Sequence, residues 1–511
     1  MSRRTLAAAI LLVWLGALAL LVRREVWRPA AHVLAEAVLA LPPGATYYTI
    51  SVGDRQVGYA SSMVDTLPDS LRLTDILLLE FPVLDELQRT ETRTEVWLTR
   101  ALRLRGFTAT VRGEGSRFVV SGRVEGDSVL ALEIASGTNR ETRRVSLDEP
   151  IVLPQLLPVS LALGGELVVG RTYAVQVFDP VQLGSRKVRV EVAAESTFVV
   201  ADSAEFDAAA GRFLPVTYDT LRSWRIREVG GTVPMDTWID GRGQVVAATS
   251  SAGFRIERTA FEIAYENFRR RGAAPAAPGD DVIRRTAIGA GVALERGALA
   301  SLRVRLGGAS LDGFALDGDR QRLLGDTLEV RRGRPADLEA PYRLPAARPD
   351  LRDYLAAEPL VQSDDPRIQA QARQIIGRTR RPGQAAELLE RWVHDAVAKQ
   401  VTVGVPSALD VFETRRGDCN EHTVLYVALA RAVGLPARTA AGLAYVDGRF
   451  YYHAWPEVYL NGWVAVDPTF GQFPADAAHL RFTVGGLARQ LDLLRLIGRL
   501  TIAVVATEPA S

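Results

Sequence analysis

Between residues 47 and 268, apolar and polar positions alternate in short segments broken by turns. Tyr48-Thr-Ile-Ser-Val runs into Gly53-Asp54, Arg117-Phe-Val-Val-Ser into Gly122, and Lys187-Val-Arg-Val-Glu-Val repeats the same period of two. That period puts successive side chains on opposite faces of a pleated strand. Trp238-Ile-Asp-Gly-Arg-Gly-Gln-Val-Val predicts a hairpin turning at Asp240-Gly241. The pattern therefore predicts one large antiparallel β domain over 45–270. Gly272-Ala-Ala-Pro-Ala-Ala-Pro-Gly279 has linker composition, and strand-like pieces such as Ser301-Leu-Arg-Val-Arg-Leu and Thr327-Leu-Glu-Val-Arg predict a small β module at 281–345.

From Asp350 the period lengthens to that of helices. Asp365-Pro366 opens one helix to Ile375. A second, from Gln384 to about Lys399, carries Leu388, Leu389, Trp392, Val393 and Val397 on one face, a core stripe. After Cys419, Val424, Leu425, Ala428, Leu429 and Ala432 mark a third helix that Gly434 and Pro436 end. A mixed core is expected over 350–485, with a C-terminal segment at 486–511.

At the other end, Thr5 to Val22 is an uninterrupted apolar run bracketed by arginine pairs. As a helix it reaches roughly 27 Å, enough for the hydrocarbon layer of a membrane. No small-x-small cleavage motif follows it directly, so 5–22 is expected to stay as a transmembrane signal anchor, followed by a short helix that Pro42-Pro43-Gly44 stops. The expected product is a single-pass membrane protein with the bulk of the chain exported to the periplasmic or extracellular face.

Composition narrows the function classes. The 511 residues are 48% hydrophobic and 24% charged, ordinary globular values, and the net charge of +1 argues against a nucleic-acid partner. Nearly all the positive charge is arginine, the lysines being Lys187 and Lys399. A single cysteine excludes an internal disulfide framework.

That cysteine is where the chemistry gathers. Cys419 stands in Arg-Arg-Gly-Asp-Cys-Asn-Glu-His, His453 follows in Tyr-Tyr-His-Ala-Trp, and Asp467 in Val-Asp-Pro-Thr. A thiol nucleophile needs a base, and the base needs an orienting carboxylate. A position at a helix N-terminus is expected to lower the Cys419 pKa and to offer its backbone N–H to an oxyanion. Gly417 permits close approach there, and Asp418 precedes the thiol. Phe450–Tyr459 reads as a strand with His453, Trp455, Glu457 and Tyr459 on one face. Asn461-Gly462 turns it, and Trp463-Val-Ala-Val-Asp returns antiparallel, bringing Asp467 towards His453. Pro456 places this strand at an edge or a bulge. The supporting positions are thus Gly417, Asp418, Trp455 and Trp463. Zinc is a poor alternative, because one thiolate with His394, His422 and His479 scattered around it lacks the paired ligand spacing. No metal or cofactor is expected. His422 is expected to point off the first helical turn, and His479 to support the site or lie exposed.

Taken together, Gly-Asp-Cys-Asn-Glu-His, Arg431-Ala-Val-Gly-Leu-Pro-Ala-Arg438, His453-Ala-Trp-Pro-Glu-Val and Gly462-Trp-Val-Ala-Val-Asp-Pro-Thr469 resemble the transglutaminase-like superfamily over roughly residues 350 to 485. The resemblance implies an α+β, papain-like core, with Cys419 as nucleophile, His453 as base and Asp467 as orienter. The tryptophan that flanks the oxyanion in animal transglutaminases has no counterpart just before Cys419, and there is no acidic calcium loop. Papain itself fits poorly, since 34 residues separate Cys419 from His453 here. Arylamine acetyltransferases share the order but need acetyl-CoA. The expectation is a membrane-anchored cysteine enzyme acting on protein or peptide amides, as protease, amidase or acyltransferase, with hydrolysis favoured. The competing expectation is a non-catalytic envelope binding or assembly protein that uses the β domain.

Overall fold

The computed structural model describes residues 43–509, apart from short segments at 84–85, 114–115, 138, 230–234, 251–252, 272–281, 296, 298 and 403. The expected anchor at 5–22, the helix after it and the 272–279 linker lie outside the described residues. Among those described, no helix is long and apolar enough to cross a membrane.

Alternation does what the sequence predicts between Gly44 and Thr259. Fourteen strands form one antiparallel sheet, running in space from Asn139–Ser146 at one edge to Thr172–Asp179 at the other. The chain's first and last strands of this region meet in the middle, Gly44–Val52 beside Phe254–Thr259 with Ile50 opposite Ile256. Inward positions two apart carry the core: Leu71 and Leu73, Phe118 and Val120, Leu130, Leu132 and Ile134, and Val188, Val190 and Val192 are all buried. The predicted hairpin is present, Met235–Asp240 pairing with Val245–Ser250. Its turn is longer than a two-residue one: Asp240 Oδ1 accepts from the N–H groups of Arg242 and Gln244, both at 2.9 Å.

The 281–345 stretch does not stand as a module of its own. Leu299–Gly307, Thr327–Arg331 and Gln321–Leu324 form a four-stranded sheet whose fourth strand is Thr501–Pro509 from the C-terminal segment. Three short strands cannot bury enough apolar surface alone. Here they borrow it: Leu302, Val304, Leu328 and Val330 share one core with Leu443, Phe450, Leu480 and Phe482. Ile288–Gly289 goes further and joins the neighbouring sheet as an edge strand.

That neighbouring sheet belongs to the α+β core. Arg449–Tyr459 and Ala437–Val446 pair antiparallel at its centre, flanked by His479–Val484 and by Trp463–Ala465. Helix Cys419–Ala432 packs between these strands and helices Pro366–Ile376, Pro382–Ala396 and Ala408–Thr414, and every residue from Glu421 to Arg431 is buried. Asp365 caps the first of those helices through the Arg367 N–H. The two halves of the molecule touch at the loop before Cys419. Leu360 and Val405 pack into the core of the large sheet, and Ser136 Oγ donates to Asp410 Oδ2 at 2.6 Å.

Candidate active site

Helix Cys419–Ala432 begins with a reciprocal cap. Asp418 Oδ1 accepts from the Asn420 N–H at 2.8 Å, and Glu421 Oε2 accepts from the Asp418 N–H at 2.9 Å. Gly417 is needed for this turn: a Cβ there would lie 2.1 Å from the Cβ of Glu421. The chain just upstream is held as well, with Lys399 paired to Gly417 and the Gln400 N–H donating to the Gly417 carbonyl at 3.1 Å. Cys419 is therefore the first residue of a rigidly started helix.

The electrostatics at the thiol differ from the sequence-based expectation. Cys419 keeps partial solvent access, but protein surrounds it on most sides. Burial, then the Asp418 carboxylate beside it, push its pKa well above the ordinary thiol value, and Glu421 and Asp467 add to this. The opposing influence, which lowers it, is the backbone N–H of Ala454 on the facing strand. Burial, the largest influence, works against the helix-end dipole, because it disfavours the charged thiolate.

Ala454 follows His453 on the strand that packs against this helix. His453 sits opposite Gly442 in the central ladder. Its Nε2 donates to Asp467 Oδ2 at 2.8 Å, and both residues are buried. Phe470 lies flat against the ring, with centroids 4.7 Å apart and planes 10° apart, and Trp455 runs nearly parallel at 6.0 Å. Asp467 Oδ1 accepts from the N–H groups of Thr469 and Phe470 at 2.8 and 3.0 Å. Burial alone raises a carboxyl; the two imidazoles on Asp467 outweigh it and hold this one far below the usual carboxylate range.

The second imidazole is His479. Its Nε2 donates to the same Asp467 Oδ2 at 2.8 Å, and its Nδ1 to Asp476 Oδ1 at 2.9 Å. With both ring nitrogens donating to carboxylates, the ring is held as an imidazolium. Burial lowers its pKa, but the hydrogen bonds to Asp467 and Asp476 prevail and raise it. Asp476 is fixed in turn by the N–H groups of Gly297 and Ala478.

The other expected positions divide. Gly417, Asp418 and Trp455 are at the site. Trp463 is not: it pairs with Tyr459, six residues along the strand from His453 and so about 20 Å away at ~3.3 Å per residue. There it packs under the Arg438 guanidinium at 3.9 Å and against Tyr354. His422 does not point off the helix but is fully buried, with Nδ1 2.7 Å from the Asp418 carbonyl. His394 reaches the Pro468 carbonyl at 2.9 Å, next to Asp467. Pro456 stands where the second neighbour of its strand begins, its carbonyl accepting from the Val466 N–H at 2.9 Å. Beneath the site, buried Glu457 accepts from Arg438 and Arg481, and both guanidiniums also meet Asp319.

His479 supports the site, one of the two places the sequence leaves open for it; Phe470 and Asp476 are not legible in the sequence. Nothing in the local pattern around Asp476-Ala-Ala-His479 marks it; only the pairing of Ala444 with His479 brings that segment to the site.

His453, Asp467 and His479 lie close enough for one ion, their ligand atoms all within 4.8 Å of one another. The fit fails on inspection, because those atoms are hydrogen-bonded to each other and both Asp467 oxygens are occupied.

Comparison with known proteins places this geometry. Residues 369–468 match the family model of the transglutaminase-like superfamily, so the chain carries a transglutaminase-like core there. A protein-glutamine gamma-glutamyltransferase of Pseudomonas aeruginosa is 29% identical over 192 residues, which are 32% of this chain and 28% of that protein. The chain thus spans well under a third of the length of that curated relative. Two solved structures overlap more broadly but loosely. One is described as a putative cysteine protease from Cytophaga hutchinsonii, at 17% identity, 41% of this chain, 86% of that one and a TM-score of 0.29. The other is a β-barrel-like protein of a domain of unknown function from Brucella abortus, at 11% identity, 43% of this chain, 95% of that one and a TM-score of 0.27. Both scores are too low to support any statement about this chain.

Proposed function

We propose that this transglutaminase-like core is a cysteine enzyme that takes acyl groups from protein or peptide amides, and that an N-terminal anchor at 5–22 holds it on the exported face of a membrane. The observation that carries the reading is the meeting of three elements at one point. Cys419 starts its helix beside the strand that carries His453, and His453 is fixed by a buried, ionised Asp467.

With Nε2 bonded to Asp467, His453 has Nδ1 left for the sulfur. Burial raises the thiol pKa, so the sulfur rests as the thiol and its proton moves as the bond forms. Cys419 Sγ attacks the carboxamide carbon while His453 Nδ1 takes the S–H proton, and Asp467 stabilises the imidazolium. The backbone N–H of Cys419, at the helix start, is placed to donate to the oxyanion. The C–N bond then breaks, the amine leaves with the proton from His453, and a thioester remains. Water attacks the thioester with His453 as base, releasing acid and thiol; an amine in place of water gives a new amide. The name of the Pseudomonas relative supports a glutamine side chain as acyl donor. Hydrolysis is the favoured outcome.

The raised thiol is the observation on the side of a non-catalytic binding protein. One experiment separates the two. The full-length chain is incubated with a blocked Gln-Gly dipeptide, with and without monodansylcadaverine, and ammonia release, dansyl transfer and a thioester mass shift are followed. Ammonia release by the wild type, lost in Cys419→Ala and reduced about 10²–10⁴-fold in Asp467→Asn, supports the enzyme. Equal signals from wild type and Cys419→Ala across glutamine and peptide substrates would sink it.

A further inference from the structure

A cavity of about 600 Å³ lies inside the curl of the fourteen-stranded sheet. Its lining runs from Tyr48 to Ile256, so it is separate from Cys419. Strands from both halves of the sheet face each other across it, and helix Leu157–Gly164 closes one side. That closure is tight: a Cβ on Gly243 would lie 2.4 Å from the Cα of Val159, so turn and helix are locked together. The volume falls in the range of preformed small-molecule sites, ~300–1,000 Å³.

The walls are mainly apolar, with one exception in the pattern. Strand Ser70–Val83 presents Leu71, Leu73, Asp75 and Leu77 at consecutive inward positions, all lining the cavity. Alternation calls for a hydrophobe at position 75, and the chain has a carboxylate. Its cross-strand neighbours, Ser62 and Thr94, are polar and line the cavity too. The Ser62 hydroxyl lies near enough to lower its pKa slightly, and among the described residues no arginine or lysine is ion-paired with Asp75. The other carboxylates of the wall are satisfied, Glu228 by Arg186 and Asp179 by the N–H groups of Val181 and Gln182. An unpaired carboxylate in apolar surroundings is unfavourable unless a donor or cation joins it.

We propose that this cavity is a binding site for a small amphiphilic amine, with an apolar body among the leucines and its ammonium seated on Asp75. The volume admits a molecule of roughly twenty non-hydrogen atoms, at about one water volume each. Burial lifts the Asp75 carboxyl up to about 6, so at pH 7.5 it is mostly ionised and open to a cationic occupant.

The test uses two matched water-soluble probes, 4-phenylbutylamine and 4-phenylbutanol, in equilibrium dialysis against the full-length chain at pH 7.5. One amine per chain is expected to bind, about ten- to a hundredfold more tightly than the alcohol. Asp75→Asn, which keeps shape and hydrogen bonding, should bring the two affinities together. Ala248→Phe, which fills the cavity from a lining position, should abolish both; its fold is checked by circular dichroism. Absence of saturable binding, a preference that survives Asp75→Asn, or binding that survives Ala248→Phe would each overturn the proposal.

Discussion

His453 and His479 meet on one atom: the Nε2 of each lies 2.8 Å from Asp467 Oδ2. A carboxylate shared in this way is less basic towards either imidazole than one devoted to a single ring. His479, held as a cation between Asp467 and Asp476, therefore tempers the pull of Asp467 on His453. It also fixes where that oxygen points.

Replacing His479 by Gln removes one of the two imidazoles on Asp467 Oδ2 and is expected to slow any Cys419-dependent acyl transfer while circular dichroism stays unchanged. Stability carries a second signature. The folded pKa of His479 is raised above its ordinary value near 6.5. Its contribution is then fully present below about pH 6.5 and fades as pH rises through the folded value. Urea unfolding should show the gap between wild type and His479→Gln widest at pH 6 and narrower at pH 9. A constant gap would remove the ionic account.

Alkylation of Cys419 by iodoacetamide should be slow at pH 7 and accelerate only towards alkaline pH, since burial and Asp418 hold the thiol up. Asp418→Asn is expected to speed labelling at a fixed pH. The helix start should keep its stability, since the Asn side-chain oxygen caps as well as the Asp one. Rapid labelling that is flat from pH 6 to 9 would show a preformed thiolate instead.

Much of this site is written in the local pattern, and the rest in places where pattern is silent. The helix after Cys419 and the hairpin through Asn461-Gly462 follow from periodicity and turn residues, and together they bring His453 to Asp467. Trp463 was misplaced because face alternation says which side a residue takes and not how far along the ladder it sits. The thiol's pKa was misjudged because the helix end is visible in sequence, whereas the joint effect of burial, Asp418 and Glu421 is not. The Thr501–Pro509 strand has no local signal for its partner, as its pairing with Leu299–Gly307 spans almost the whole second half of the chain.

Gly417→Ala is expected to cost about 1–3 kcal/mol, as overpacking does, because the new methyl would meet Glu421 at 2.1 Å. The cap and the thiol move together, so reduced thermal stability should come with altered Cys419 labelling. If only one of the two changes, the helix start is not the coupling between them.

Glu457→Gln should destabilise the core by about 3–5 kcal/mol, the range for breaking a buried ion pair. Glu457 is fully buried against Arg438 and Arg481, and removing its charge leaves two guanidiniums to share the half-buried Asp319. Chemical denaturation of the variant checks this; a loss below 1 kcal/mol would mean Asp319 suffices.

The clasp between Leu299–Gly307 and Thr501–Pro509 also sets an order of events at the ribosome. The large sheet is complete in sequence by Thr259 and can close while synthesis continues. The half that bears Cys419 cannot finish its shared core until the last strand emerges, about 10–40 s after Leu299 at 5–20 residues per second. During that interval Leu302, Val304 and, once made, Leu328 and Val330 lack part of their cover, which makes the nascent chain a client for holding chaperones. Cys419, which packs against that core, is enclosed only once this strand has paired.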